Sequence, residues 1–288
     1  MAVKFFGQFL VERGTVGREQ ILQAIELQEK TNLRFGEMAL SMKLMTDSDV
    51  ERVHLAQRSE DLRFGDMAVK LGIITPEQLQ QVLTRQKNSH LYIGEALVKI
   101  GALARHDLIR YLDEFRKDQA PFLERRTIVP EGLANAETWA MVADLTYKML
   151  TRVVNLEHRP GPCSVTSSLQ SHGVVVAMDF TGALQARYLL SISSGVQAQI
   201  ARAILQEADV SAEPQEVLDD TVMEFVNIVC GNAVAKAAQM GFQMDIRPPE
   251  LIEAKGGPVT AKPGQSGLLF PIHVAEGERA EMALFIRG

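Results

Sequence analysis

Cysteine is almost absent, with only Cys163 and Cys230 in 288 residues. One falls in an expected strand and the other in an expected helix, which excludes a disulfide framework and points to a reducing compartment. Long apolar runs are also missing. No stretch of about 18 uncharged apolar residues occurs, and the opening MAVKFFGQFLVERG meets charges before any signal-length run. A cytoplasmic protein without membrane insertion is expected. Basic runs are lacking too: Lys and Arg number 30 against 36 Asp and Glu, a net charge of −6. Binding to a nucleic-acid backbone is thereby excluded as the main activity. There is no G-x-S-x-G, no Walker-type loop and no dinucleotide fingerprint, and the six histidines show no metal-ligand spacing, so no protein-bound metal is expected. What remains is 46% hydrophobic and long enough for two ordinary domains.

The first of these announces itself as a repeat. FGQFLVERG at Phe6, FGEMALSMK at Phe35, FGDMAVKLG at Phe64 and IGEALVKIG at Ile93 recur every 29 residues, with Gly7, Gly36, Gly65 and Gly94 in register. Each unit reads as a short apolar helix, a break at Gly14, Lys43, Gly72 or Gly101, and a longer amphipathic helix. The third unit is the clearest, because Thr75-Pro76-Glu77 places a cap before a proline at the first helical position, and Leu79, Val82, Leu83 and Gln86 follow at helical spacing. No such pair can bury its own stripe, so neighbouring units are expected to stack and share one core.

These units resemble the MshEN, or type II secretion ATPase N-terminal, repeat over residues 4 to about 115. The resemblance implies a cyclic di-GMP site shared by two successive units, or a docking module for a partner. Units two and three keep most of the pattern, with Arg34, Phe35, Gly36 and Gln57 in one and Arg63, Phe64, Gly65 and Gln86 in the other, although unit two has Lys43 for the inner glycine and His54 for a leucine. The others depart from it, with Phe5 and Tyr92 in place of arginine and Phe115 in place of glutamine.

Residues 118–132 lose periodicity and contain Pro121, Pro130 and Gly132, which reads as a linker between a domain at 1–117 and one at 133–288. Beyond it the pattern becomes mixed. A helix is expected from about Leu133 to Leu156, then strands over CSVTSSL, GVVVAMDF and LQARYLLSIS, the last two joined through Thr181-Gly182. Helices follow from about Ser194 to Glu207 and over 214–240, and GLLFPIHVA and AEMALFIR close the chain as a hairpin. The fold class is an all-α helical repeat bundle followed by an α+β domain with a mostly antiparallel sheet.

The helix over 214–240 carries the chemistry. With Asp220 at zero and roughly 100° per residue, Glu224 falls at about 40°, Asn227 at about 340° and Gly231 at about 20°. Leu218, Val222, Phe225, Val226, Val229 and Ala233 take the opposite arc and should face the sheet. Such a stripe is also what any solvated helix face looks like. Asp220, Glu224 and Asn227, with Pro248-Pro249 about twenty residues on, resemble the helix motif of the CheC and CheX phosphatases, and the likeness covers most of 133–288 with one motif copy. It implies a response-regulator phosphatase in chemotaxis, with Glu224 and Asn227 catalytic and Asp220 and Gly231 at the docking surface. It further implies a phosphorylated CheY-like regulator as partner, Mg2+ supplied by that regulator and none by this chain, and a homodimer. A non-enzymatic adaptor fits the same residues, as does a cyclic di-GMP receptor with a degenerate output domain.

Overall fold

Each 29-residue repeat folds as a short helix followed by a longer one. They are α1 (Phe6–Glu12) and α2 (Arg18–Thr31), α3 (Phe35–Ser41) and α4 (Asp47–Gln57), α5 (Phe64–Lys70) and α6 (Pro76–Ser89), α7 (Ile93–Lys99) and α8 (Arg105–Gln119). The computed structural model describes residues 4–57, 59–120, 129–130, 132–253 and 257–287. It divides into two units, Met1–Glu124 and Arg125–Gly288. Most of the expected linker, at 121–128 and 131, lies outside the described residues.

The break inside each repeat is a left-handed residue. Gly14, Gly72 and Gly101 have φ of 66°, 69° and 75°, and Lys43 takes the same conformation at 57°. At all four, the amide of this residue and the next one reach back to the short helix: Lys43 N donates to Leu40 O and Leu44 N to Ala39 O, both at 2.9 Å. That paired closure satisfies carbonyls that the helix end leaves open. Two of the long helices, α4 and α6, then restart on reciprocal caps. Thr75 Oγ1 accepts from Gln78 N while Gln78 Oε1 accepts from Thr75 N, and Thr46 and Asp49 do the same for α4.

The repeats do not share one core along the chain. Repeats two and three build one cluster around Met38, Val53, Met67 and Val82, and repeats one and four build another around Phe9, Leu10, Ala24 and Leu97. The pairing is nested, with the first repeat closing on the last. Its cause is visible in the contacts. Phe115 stands where the other repeats have glutamine, and its ring lies 5.3 Å from Phe6 and 5.5 Å from Phe9. Two repeats supply complementary faces, so each pair needs no third neighbour.

The second unit stacks three helices on a sheet. Helix α9 runs over Ala136–Arg152, α10 over Ser194–Leu205 and α11 over Gln215–Gln239. Among the described residues the strands are β1 (His158–Pro160), β2 (Ser164–Thr166), β3 (Ser168–Leu169), β4 (Val174–Gly182), β5 (Ala186–Ile192), β6 (Met244–Ile246), β7 (Glu250–Leu251), β8 (Val259–Thr260), β9 (Gln265–Val274) and β10 (Arg279–Arg287). The main sheet has the order β1-β9-β10-β5-β4-β6, with β2 beside β9 and β7 beside β4, and β3 pairs with β8 apart from it. Every pairing is antiparallel. Alternation sends Val176, Met178, Tyr188, Leu190, Met282 and Leu284 to the helix side, and Val175, Ala177, Leu189, Ala283 and Phe285 to a smaller cluster on the other. Fully buried Tyr188 finds Thr146 Oγ1 of α9 at 3.2 Å, which satisfies its hydroxyl inside the core. Cys163 precedes β2 rather than lying within a strand, and both thiols are free. No helix among the described residues is long and apolar enough to cross a membrane.

Candidate functional site

Helix α11 begins after Pro214, which fixes an extended entry, and carries Glu216 in its first turn where the helix dipole favours an acid. Val222, Phe225, Val226, Val229 and Ala233 are fully buried against the sheet and the neighbouring helices. Leu218, expected with them, is only half-buried, because the first turns of α11 reach past the core. The buried face is wider than the expected arc further along, taking in Thr221, Ile228, Cys230 and Asn232. Asn232 is accommodated there by donating its Nδ2 to Ile228 O at 2.8 Å. Burial alone raises the Cys230 thiol far above its ordinary pKa and holds Cys163 up at about 11, so both remain protonated packing groups at neutral pH.

The polar stripe stands on the outer side. Asp220 and Asn227 are exposed, Glu224 is half-buried, and Asn227 Nδ2 lies 3.5 Å from Glu224 Oε2, one helical step away. At Gly231 an added Cβ would meet no atom within 4 Å, so the next turn is open as well. Spacing thus brings the carboxylate and the carboxamide side by side on an accessible ridge. Such a pair can accept and donate together, the requirement for orienting a small molecule such as water.

Sequence reasoning missed how this helix is anchored. Gln197 of α10, almost fully buried, donates to Asp219 Oδ1 at 2.7 Å, and Gln215 donates to the same oxygen at 2.8 Å. This knot ties the start of α11 to α10 immediately beside Asp220. Its signal was a glutamine on the apolar face of an amphipathic helix, a residue that needs a partner when buried.

In the repeats, the residues expected at a nucleotide site hold units two and three together. Gln57 Nε2 donates to Leu62 O at 2.8 Å and Gln86 Nε2 to Leu33 O at 2.9 Å, a reciprocal exchange between the two units. Gln28 donates to Leu91 O at 2.9 Å in the same way, joining repeats one and four. The rings of Phe35 and Phe64 pack 5.7 Å apart. Gly36 and Gly65 lie under them: a Cβ would meet Phe64 at 3.2 Å in one case, and in the other would collide with Leu79 and meet Phe35 at 3.0 Å. The glycines therefore serve close helix approach. Only Arg34 and Arg63 of this set are exposed, and Arg63 lies 3.7 Å from Asp66.

Residues 174–273 match the model of the family described as Chemotaxis phosphatase CheX. They are a CheX family domain. The matched stretch runs from β4 through β9 and contains the whole of α11. No curated protein matches the chain. Among solved structures it is similar to a chemotaxis protein CheX from Desulfovibrio desulfuricans, at 17% identity and a TM-score of 0.47, over 52% of this chain and 99% of that one. It is also similar to CheX from Vibrio vulnificus, at 22% identity and 0.45, over 53% of this chain and 100% of that one. A third similar structure is a CheX-CheY-BeF3-Mg2+ complex from Borrelia burgdorferi, at 22% identity and 0.43, over 51% and 96%.

Proposed function

We propose that the second unit is a phosphatase acting on the aspartyl phosphate of a CheY-like response regulator, with Glu224 and Asn227 as its working residues. The observation that carries this reading is the exposed Asn227 carboxamide beside the Glu224 carboxylate, on the helix at the centre of the CheX family domain. So small a site suffices because the substrate protein brings most of the chemistry. The regulator contributes the acyl phosphate and its own Mg2+, which neutralises phosphate charge. This chain then has to place one water. Asn227 enters the phosphoacceptor pocket, and its carboxamide oxygen and N–H hold that water in line with the P–O bond to the regulator's aspartate. Water adds to phosphorus, that bond breaks, the leaving carboxylate takes the electron pair, and the water's protons leave with the inorganic phosphate or pass to solvent. Glu224 pairs with a cation of the regulator and fixes the depth of entry, while Asp220 extends the docking edge.

Asn227 is exposed, so its replacement leaves the core untouched. Asn227→Ala is expected to reduce the accelerated release of phosphate from a phosphorylated regulator by about a hundredfold or more, the usual scale for losing a positioned reactant. Retained binding to the regulator, followed by a pull-down or by sedimentation, identifies the loss as chemical. Phosphate release as fast as the parent chain's would overturn the assignment, and binding without any acceleration by the parent chain would make the domain an adaptor.

For the repeats we propose partner docking, with cyclic di-GMP binding by units two and three as the alternative. One amide N–H each of Gln57 and Gln86 goes to a backbone carbonyl that joins units two and three, which gives these glutamines a packing role that docking would use.

A further inference from the structure

The sheet face turned away from the helices ends in a cleft of about 450 Å³ lined by Arg187, Arg247, Lys262 and Arg287. The strands bring these cations together from distant parts of the chain. Arg187 on β5 faces Phe285 of β10 across the ladder, and Arg287 lies two residues further along the same face. Arg247 leaves β6 with its backbone N–H on Asp179 O at 3.0 Å. Lys262 sits in a turn closed by Gln265, whose side chain accepts from Lys262 N at 2.9 Å.

Only one of the four is neutralised. Arg187 Nη1 meets both carboxylate oxygens of Asp179 at 3.2 Å, and Nη2 bonds Glu250. That clamp fixes the guanidinium on the floor of the cleft. Arg247, Lys262 and Arg287 have no carboxylate within ion-pair distance among the described residues, and the nearest partner of Arg287 is the neutral Gln185, at 3.5 Å. Four cations set against the two carboxylates that hold Arg187 leave a local charge of +2, and the repulsion among Arg247, Lys262 and Arg287, on a chain of net charge −6, is a cost that an anion relieves.

We infer that this cleft binds a small phosphate-bearing molecule. The volume is that of a small-molecule site. Two forked guanidinium groups and an ammonium match the several oxygens of a phosphate chain better than a single carboxylate. Among the described residues no aromatic face is offered: Phe180 borders the cleft, but its ring is buried in the core on the helix side. Recognition is therefore of the phosphates and not of a stacked base. The site lies on the opposite sheet face from α11 and does not rest on the phosphatase reading.

The test is titration calorimetry of the full chain with pyrophosphate, repeated in Arg247→Gln, Lys262→Gln and Arg287→Gln chains. All three side chains are exposed, so circular dichroism should be unchanged. The expected result is saturable one-to-one binding to the parent chain, weakened about tenfold by each substitution, the scale of one charge-assisted bond. Succinate should bind far more weakly. Absence of saturable heat, equal binding by the variants, or succinate binding as tightly as pyrophosphate would each overturn the inference. So would a salt-sensitive dimer that the same substitutions dissociate and pyrophosphate leaves intact, because the cations would then belong to a second copy of the chain.

Discussion

At Gly231 the α11 ridge is lowest, and the residue gives a test that separates access from folding. A Cβ there meets nothing within 4 Å, and glycine is about 0.5 kcal/mol worse than valine in a helix interior. Gly231→Val is expected to leave the melting temperature unchanged or slightly raised. It should slow regulator dephosphorylation by about tenfold or more, since the added branches hold the partner away from Asn227. Full activity with a normal melt would mean that the ridge does not enter a partner. At this scale the sequence was informative where residues are local. Counting angles along one helix was enough to place Asp220, Glu224, Asn227 and Gly231 together on the outer side. It could not reach Arg187, Arg247, Lys262 and Arg287, which share no spacing and meet only because antiparallel strands return to the same edge.

The elements follow a similar division. Helices were legible from period and punctuation, and the four breaks fall at the residues expected, because a left-handed closure leaves a strong mark in sequence when glycine fills it. Lys43 keeps the closure without the glycine, and a left-handed side chain costs about 1 kcal/mol. Lys43→Gly should therefore raise the stability of the repeats by about 1 kcal/mol in urea denaturation followed by far-ultraviolet circular dichroism. A fall in stability would show that the lysine makes a contribution larger than its backbone strain. The long strands β4, β5, β9 and β10 were also legible. β1, β6, β7 and β8 were not, since two or three residues carry no alternation and are held only by the neighbour they happen to lie beside.

On the scale of the whole molecule, the arrangement of the repeats is what sequence could not give. Four units with nearly equivalent faces satisfy a serial stack as well as a nested set, and a few side chains decide between them. Phe115 is the decisive one, which makes Phe115→Gln informative. That change would restore the glutamine of the other repeats, yet it should destabilise the chain by about 2 kcal/mol, because it removes the ring packed on Phe6 and Phe9. Unaltered or increased stability in a denaturant titration would argue against the closure of repeat one on repeat four.

Nesting also imposes an order on synthesis. As the chain leaves the ribosome, the inner pair has all its residues by Ser89 and can close at once, whereas Phe9 and Leu10 must wait for α8. Closure of the inner pair shortens the span left between the outer partners, so the last step joins ends already drawn near each other. Until then α1 travels with its greasy side bare, and it is the helix of the repeats most in need of a chaperone's shelter.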